Sequence, residues 1–352
     1  MNLVEDNLKL NSLEMAQNKT RLESFPISMN ICTTKKCNMS PPCVMCQKAV
    51  RPDPPQDIGW EIIEKLKQIL PTTAVLILHG VGEPLIYDKL FDLIGLASRE
   101  TKNVFTTNGR LLQKYSQLVV DNVFAISVSI DAATDVTYKA IRHRELNQIK
   151  EGIKRLVSLK RRQNQKTPYI DINMCLMRRN IGDAPYFVKM GKDLGVDAVH
   201  FYHMNEGVEY DWQVEWFDYK KQSCLTDPIE HDYWIKQAMV LSKELNVAVI
   251  FDGRMYFNSD ERDKTGDMPN PMPAPTIPNS LFCDLPWRQL QINTNGKVNN
   301  CCYQLDEVGD LNTQFIDDIW NGKALLEIRE GIVSGKLSRY CAKAICPPNG
   351  RI

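Results

Sequence analysis

Apolar runs at 27–32, 74–79, 103–107, 124–130, 168–177 and 197–203 alternate with helix-patterned stretches at 59–70, 88–99, 111–121, 135–158 and 182–194. This alternation constrains the fold more than any other feature. Short apolar runs bounded by turn residues read as buried parallel strands, and each intervening helix returns the chain to the same edge of the sheet. Right-handed crossovers of this kind wrap six strands into an open partial (β/α)6 barrel, whose chemistry belongs at the C-terminal ends of the strands.

The remainder of the chain departs from that rhythm. Residues 204–229 carry Tyr210, Trp212, Trp216 and Tyr219, and a helix is expected from about 230 to 246. Pro269, Pro271, Pro273, Pro275 and Pro278 then form a run that cannot be regular structure and reads as a linker. Beyond it, Gln289 to Ile292 and Lys297 to Tyr303 flank Asn295-Gly296, a strong hairpin signal, and Leu311 to Gly335 reads as a loop and helix. The organisation expected is an N-terminal extension (1–26), the partial barrel (27–204), an insert with a helix and linker (205–279), and a small α+β domain (280–352).

The 43 basic and 43 acidic side chains balance, which removes any electrostatic case for nucleic acid or an anionic membrane as partner. No apolar stretch approaches the roughly 20 residues a membrane span needs, and the first 26 residues are too polar for a secretory signal. A cytoplasmic location follows as the expectation. In a reducing compartment 11 cysteines point to metal rather than to disulfides. Their distribution agrees: Cys32, Cys37, Cys43 and Cys46 crowd one end, Cys283, Cys301, Cys302, Cys341 and Cys346 the other, and only Cys175 and Cys224 lie between.

Thr34-Lys35-Lys36-Cys37-Asn38 followed by Cys43-Val44-Met45-Cys46 resembles the cluster loop of the radical SAM superfamily. Gly82-Glu83-Pro84 resembles that family's second-strand glycine motif, Thr106-Thr107-Asn108-Gly109 its third-strand end, and Ser127-Val128-Ser129-Ile130-Asp131 its fourth. The order of these motifs over residues 27–203 is more specific than any one of them. The resemblance implies a 4Fe-4S cluster on Cys37, Cys43 and Cys46, with one iron open to S-adenosylmethionine. The interval from Asn38 to Pro42 is longer than the family's usual one, an insertion an exposed loop absorbs at little closure cost. Cys32 is an alternative first ligand, and a zinc site built from the four N-terminal cysteines is the alternative metal.

The same resemblance assigns the cofactor pocket. Gly80, Gly82 and Glu83 would bring backbone acceptors to the amino group of S-adenosylmethionine, with Met45 packing on its purine. Thr107, Asn108, Ser127, Ser129 and Asp131 would supply polar contacts, and Arg178 would neutralise the carboxylate, with Arg179 beside it or a solvated role for Arg178 the alternatives. Ser127, Ser129 and Asp131 alternate at strand period and so are expected to share one face. His79, His200 and His203 are weaker cavity-lining candidates.

Cys283-x-x-Pro286-Trp287, Gly296, Cys301, Ile319-Trp320-Asn321-Gly322, Cys341 and Cys346 resemble the twitch extension, a reduced relative of the SPASM domain. One auxiliary 4Fe-4S cluster on Cys283, Cys301, Cys341 and Cys346 is implied, zinc being the alternative. Cys302 is then surplus, a packing residue or a hydrogen-atom donor, and Cys224 competes for the donor role.

The function implied is reductive cleavage of S-adenosylmethionine to a 5′-deoxyadenosyl radical, followed by hydrogen abstraction from an unactivated carbon of a small molecule, sugar- or aminocyclitol-like, or of a peptide. A flavodoxin- or ferredoxin-type protein would supply the electron. Oxidation is the expected outcome, with epimerisation or crosslinking the alternatives and a non-catalytic iron-sulfur or zinc protein the alternative of another class. The segment before the first strand is expected to be too short for the leader-gripping module of many peptide maturases, and for a cobalamin domain.

Overall fold

The computed structural model describes residues 2–46, 48, 54–204, 215–251, 254–256, 283–301, 306–336 and 338–342. The proline-rich run, Tyr210, Trp212, Cys302 and Cys346 lie outside the described residues. In chain order the strands are β1 (Ser28–Ile31), β2 (Val75–Ile77), β3 (Lys102–Thr107), β4 (Ala125–Ser129), β5 (Tyr169–Leu176), β6 (Ala198–His203), β7 (Ala248–Phe251), β8 (Arg254–Tyr256), β9 (Gln289–Ile292), β10 (Lys297–Asn299) and β11 (Gly309–Asp310). The chain divides into two compact units. One comprises Met1–Lys36, Pro55–Val104 and Pro269–Ile352, and the other Cys37–Pro54 and Phe105–Met268.

In the first unit β1 pairs in parallel with β2, and β2 with the start of β3. On its other side β1 pairs in parallel with β9, which continues antiparallel through β10 to β11. The expected C-terminal hairpin therefore forms about Asn295-Gly296, with Gly296 at φ +78°, and adds directly to the first strand. A sequence cannot announce such a junction, because Ser28 and its partner Gln289 are separated by most of the chain.

The N-terminal segment is also part of this unit. Asn2 caps a helix over Leu3–Ala16 by accepting from the Glu5 amide at 3.2 Å. The buried positions of that helix include Asn7, Asn11 and Glu14, so apolar periodicity is weak and the helix is hard to see in sequence. These polar groups turn to backbone partners, Asn11 through its Nδ2 alone. Asn7 exchanges hydrogen bonds with Phe25 at 2.9 and 3.2 Å, Asn11 donates to the Trp287 carbonyl at 2.6 Å, and the Glu14 carboxylate accepts from the amides of Glu23 and Ser24 at 2.7 and 3.1 Å. Trp320 Nε1 donates to Ser24 O at 2.7 Å, and Arg329 donates to Pro286 O and Thr20 O, each at 2.9 Å.

The second unit carries β4, β5, β6 and β7 in parallel register, with β8 antiparallel at the end. Ile126, Val128, Ile170, Ile172, Met174, Val199 and Phe201 on these strands are all buried, against helices that include Ile149, Ile153, Leu156 and Phe187. The stretch expected to be helical over 135–158 is two helices, Asp135–Arg142 and Leu146–Arg162, separated where His143 adopts a left-handed φ of +56°. The helix expected near 230–246 spans Pro228–Leu245 and feeds β7, so the β/α alternation runs one strand further than the six apolar runs suggest.

Candidate cluster and cofactor site

Cys37, Cys43 and Cys46 share one loop of the second unit. Cys43 is buried and the other two are half-buried. Burial pushes the Cys43 thiol up to about 11; the Arg142 guanidinium opposes this, while Asp131, Cys46 and Cys37 add to it. Cys46 is raised likewise, by burial first and by Cys37 among its neighbours. The three sulfurs therefore lie within electrostatic reach of one another. Among the described residues, however, no three His, Cys, Asp or Glu side chains stand gathered tightly enough to hold a metal ion.

Backbone and side chains hold this loop at several points. The Val44 amide donates to Ile141 O at 3.0 Å and the Cys46 amide to Cys43 O at 2.9 Å. Asn108 Nδ2 donates to Asn38 Oδ1 at 2.7 Å and reaches Cys37 Sγ at 3.8 Å. The guanidinium of Arg110 donates to Asn38 O, and that of Arg144 to Ser40 O. Met45 packs on the cluster formed by Val44, Ile141, Cys175, Met177, Met204, Phe217 and Tyr219.

The glycine motif lies in the first unit. A Cβ on Gly82 would stand 2.2 Å from Thr34 O and 2.5 Å from Lys36 O, so only glycine admits the backbone that leads to Cys37. The Glu83 amide donates to Lys36 O at 2.8 Å, and the Glu83 carboxylate accepts from the Leu85 amide at 3.2 Å. Thr34 and Lys36 are tied to Asp57, each at 2.6 Å. Cys32 is buried in this unit, with its sulfur 3.8 Å from Thr34 O and packed against Gly80. His79, just before the loop, has its pKa driven down to about 4 by burial and leaves Nδ1 without a partner.

The fourth-strand residues do not all act alike. Ser127 pairs in register with Asp171, donates to its carboxylate, and accepts from Asn173 Nδ2 at 2.7 Å. Burial pushes the Asp171 carboxyl up to about 7. Asp131, expected on the face of Ser127 and Ser129, lies beyond the end of β4 and takes a left-handed φ of +65°, so strand alternation no longer aims it. Its carboxylate is committed to the buried Arg142 guanidinium, Nε to Oδ2 at 2.7 Å, and to the Cys175 amide at 2.8 Å. Sequence reasoning passed over Arg142. Its signal was available in retrospect as an arginine in the last turn of a helix directly after the Ser-x-Ser-x-Asp strand.

Arg178 faces Asp227 and Glu230 at 3.4 and 3.6 Å and is 44% exposed, so its charge is answered on a solvated surface. Gly109 donates its amide to Thr107 Oγ1 at 3.1 Å. Cys224 is buried, and burial pushes its thiol up to about 12. His200 packs edge-on to Tyr202 with ring centroids 5.7 Å apart. His203 instead turns to the helix Pro228–Leu245, with its Nε2 3.0 Å from that of His231.

Cys283, Cys301 and Cys341 converge within the first unit. Burial pushes the Cys283 thiol up to about 12, and Cys301 and Cys341 both add to the rise. Cys283 precedes the short helix Leu285–Arg288, Cys301 follows β10, and Cys341 sits on the helix Arg339–Ala342.

Residues 283–347 match the SPASM family, an iron-sulfur cluster-binding domain. The fold is that of SuiB from Streptococcus suis bound to S-adenosylmethionine, with TM-score 0.62 and 15% identity over 95% of this chain and 75% of that one. It is also that of native anSMEcpe with bound AdoMet, with TM-score 0.57 and 16% identity over 91% of this chain and 87% of that one. In sequence the chain is similar to a probable GTP 3′,8-cyclase of Methanococcus aeolicus, 28% identical over 181 residues, 48% of this chain and 56% of the relative. A probable GTP 3′,8-cyclase of Saccharolobus islandicus is 24% identical over 279 residues, 76% of this chain and 78% of that protein. The chain spans about half the length of the first of these relatives. Motif order, strand topology and the matched C-terminal domain agree with a radical SAM enzyme that carries a SPASM extension.

Proposed function

We propose that this protein cleaves S-adenosylmethionine reductively and abstracts hydrogen from an unactivated carbon of a peptide or a small polar molecule, with oxidation as the outcome. The observation that carries this reading is the placement of Cys37, Cys43 and Cys46 on one anchored loop, within electrostatic reach of one another, in a chain that holds a second group of cysteines in its matched SPASM domain. The residues fit a cluster by donor chemistry: three thiols on one loop that would release their protons on binding iron and be drawn together by it. When bound, the cluster and S-adenosylmethionine would supply a 5′-deoxyadenosyl radical.

The protein's own part is to orient and to exclude water. Val44, Asn108, Arg110 and Arg144 fix the loop. Ser127 and Ser129 face the same side of β4 and offer hydroxyls for its ribose or carboxylate. Cys283, Cys301, Cys341 and Cys346 would hold the auxiliary cluster, a route for the electron that leaves an oxidised substrate. A peptide substrate is favoured by the structural likeness to SuiB, which has been captured with its precursor peptide SuiA. A flavodoxin- or ferredoxin-type donor would complete the cycle.

Anaerobic reconstitution with iron, sulfide and a reductant tests the reading. The wild type should form 5′-deoxyadenosine. Joint replacement of Cys37, Cys43 and Cys46 by Ala should remove about four irons and abolish the product, while circular dichroism stays that of a folded barrel. Retained cleavage in that variant would overturn the assignment.

A further inference from the structure

Asn108 was expected among the contacts to S-adenosylmethionine, but its amide is already committed, and to the cysteine loop. Its Oδ1 accepts from the Arg110 amide at 3.1 Å, which fixes which end of the side-chain amide is which. The opposite end, Nδ2, donates to Asn38 Oδ1 at 2.7 Å and reaches Cys37 Sγ at 3.8 Å, within the range of an N–H···S hydrogen bond. Asn108 is buried, at 7% exposure, so this arrangement is protected from competing water.

The turn that presents the amide is built tightly. Gly109 has φ +80°, and a Cβ there would stand 2.8 Å from Ile149 Cγ2 and 2.9 Å from Val128 Cγ1. No other residue fits both that conformation and that space. The Gly109 amide is tied back to Thr107 Oγ1, and Arg110 holds the carbonyl of Asn38. Asn108 and Arg110, on the turn just past β3, thus hold the residue next to the first cysteine and the cysteine sulfur itself.

We infer that Asn108 is a positioning residue for the cluster, and that its Nδ2–H···Sγ bond to Cys37 raises the cluster's reduction potential. This rests on the reading that Cys37, Cys43 and Cys46 hold the cluster. Reduction adds negative charge that spreads onto the ligating sulfurs. A hydrogen-bond donor aimed at one of them stabilises the reduced form more than the oxidised one. The same bond orients Cys37 before metal arrives.

The test is a redox titration of the reconstituted holoenzyme, following the electron paramagnetic resonance signal that responds to added S-adenosylmethionine. That response identifies the cluster on Cys37, Cys43 and Cys46 and separates it from the auxiliary site. Asn108→Asp keeps the side chain's shape and the bond accepted from Arg110 but removes the N–H. At wild-type iron content it should make reduction at least tenfold less favourable, a shift of about 59 mV to more negative potential for one electron. Asn108→Ala should shift the same way.

An unchanged midpoint in a fully loaded variant would overturn the inference and leave Asn108 a structural residue. Should both variants fail to load iron, pulsed resonance on the wild type decides. Protein labelled with ¹⁵N at the asparagine side-chain amides should show a nitrogen coupling to the reduced cluster, and its absence would overturn the inference. A wild type with no signal responsive to S-adenosylmethionine would sink the functional reading itself, an outcome distinct from the others.

Discussion

Two buried arginines, Arg142 in the second unit and Arg329 in the first, are kept in opposite ways. In the second unit Arg142 is answered by a full negative charge, the carboxylate of Asp131, which is itself inaccessible and also accepts from the Cys175 amide. In the first unit Arg329 is inaccessible but is held by neutral partners: the carbonyls of Pro286 and Thr20, and the face of the Trp320 ring 4.4 Å away. Burial drives its pKa down to about 9, only partly offset by Glu14. The contrast separates two uses of a buried cation. Arg142 belongs to an ion pair within electrostatic reach of the cysteine loop, where it opposes the rise in the Cys43 thiol, whereas Arg329 gathers backbone carbonyls from opposite ends of the chain.

The largest effect is expected from Arg142→Met. It leaves Asp131 as a buried charge without its counterion, and such a break costs about 3–5 kcal/mol. Urea unfolding of the metal-free protein should show it. Arg329→Met loses hydrogen bonds to carbonyls and the guanidinium over Trp320 but strands no buried charge, so the loss should be smaller, about 2–3 kcal/mol. Equal losses, or a larger one at Arg329, would mean that the charge of Asp131 is not what distinguishes the two sites.

A smaller, pH-dependent effect is expected at Asp171. Burial raises its carboxyl from 3.8 to about 7, so the folded chain keeps a proton that the unfolded chain has already released. The stabilisation that goes with that proton is complete below the unfolded value and is lost as pH rises towards about 7. Asp171→Asn has no such loss. Relative to wild type the variant should therefore gain about 3 kcal/mol between pH 4.5 and pH 8, where the gain levels off. Denaturant midpoints at the two pH values measure it, and a flat difference would show that the carboxyl is ionised throughout.

Much of the fold was readable in the chain because its signals are local. β1 to β6 match the six apolar runs to within one or two residues at either end, and Asn295-Gly296 turns where it should. Two features were not readable, for different reasons. The helix Leu3–Ala16 buries Asn7, Asn11 and Glu14 towards backbone partners, so it lacks the apolar stripe by which helices are recognised. β7 follows an aromatic stretch and a helix that resemble an insert, and only pairing with β6 identifies it as a continuation of the sheet.

The same division holds for the site. Cysteine spacing, the Gly-Glu-Pro turn and the order of strand-end motifs carried the resemblance and the chemistry it implies, because cysteines at set intervals and glycines at close approaches are requirements of residue type. The partners of each polar side chain were settled only by tertiary structure. Asp131 and Ser129 differ by two positions in sequence, yet a left-handed φ at Asp131 ends the alternation and commits its carboxylate to Arg142. Asn108 is aimed at Asn38 and Cys37 because Ile149 and Val128 admit only a glycine beside it. A sequence lists which groups can donate and accept; the backbone conformation and the space around each group decide which partner it meets.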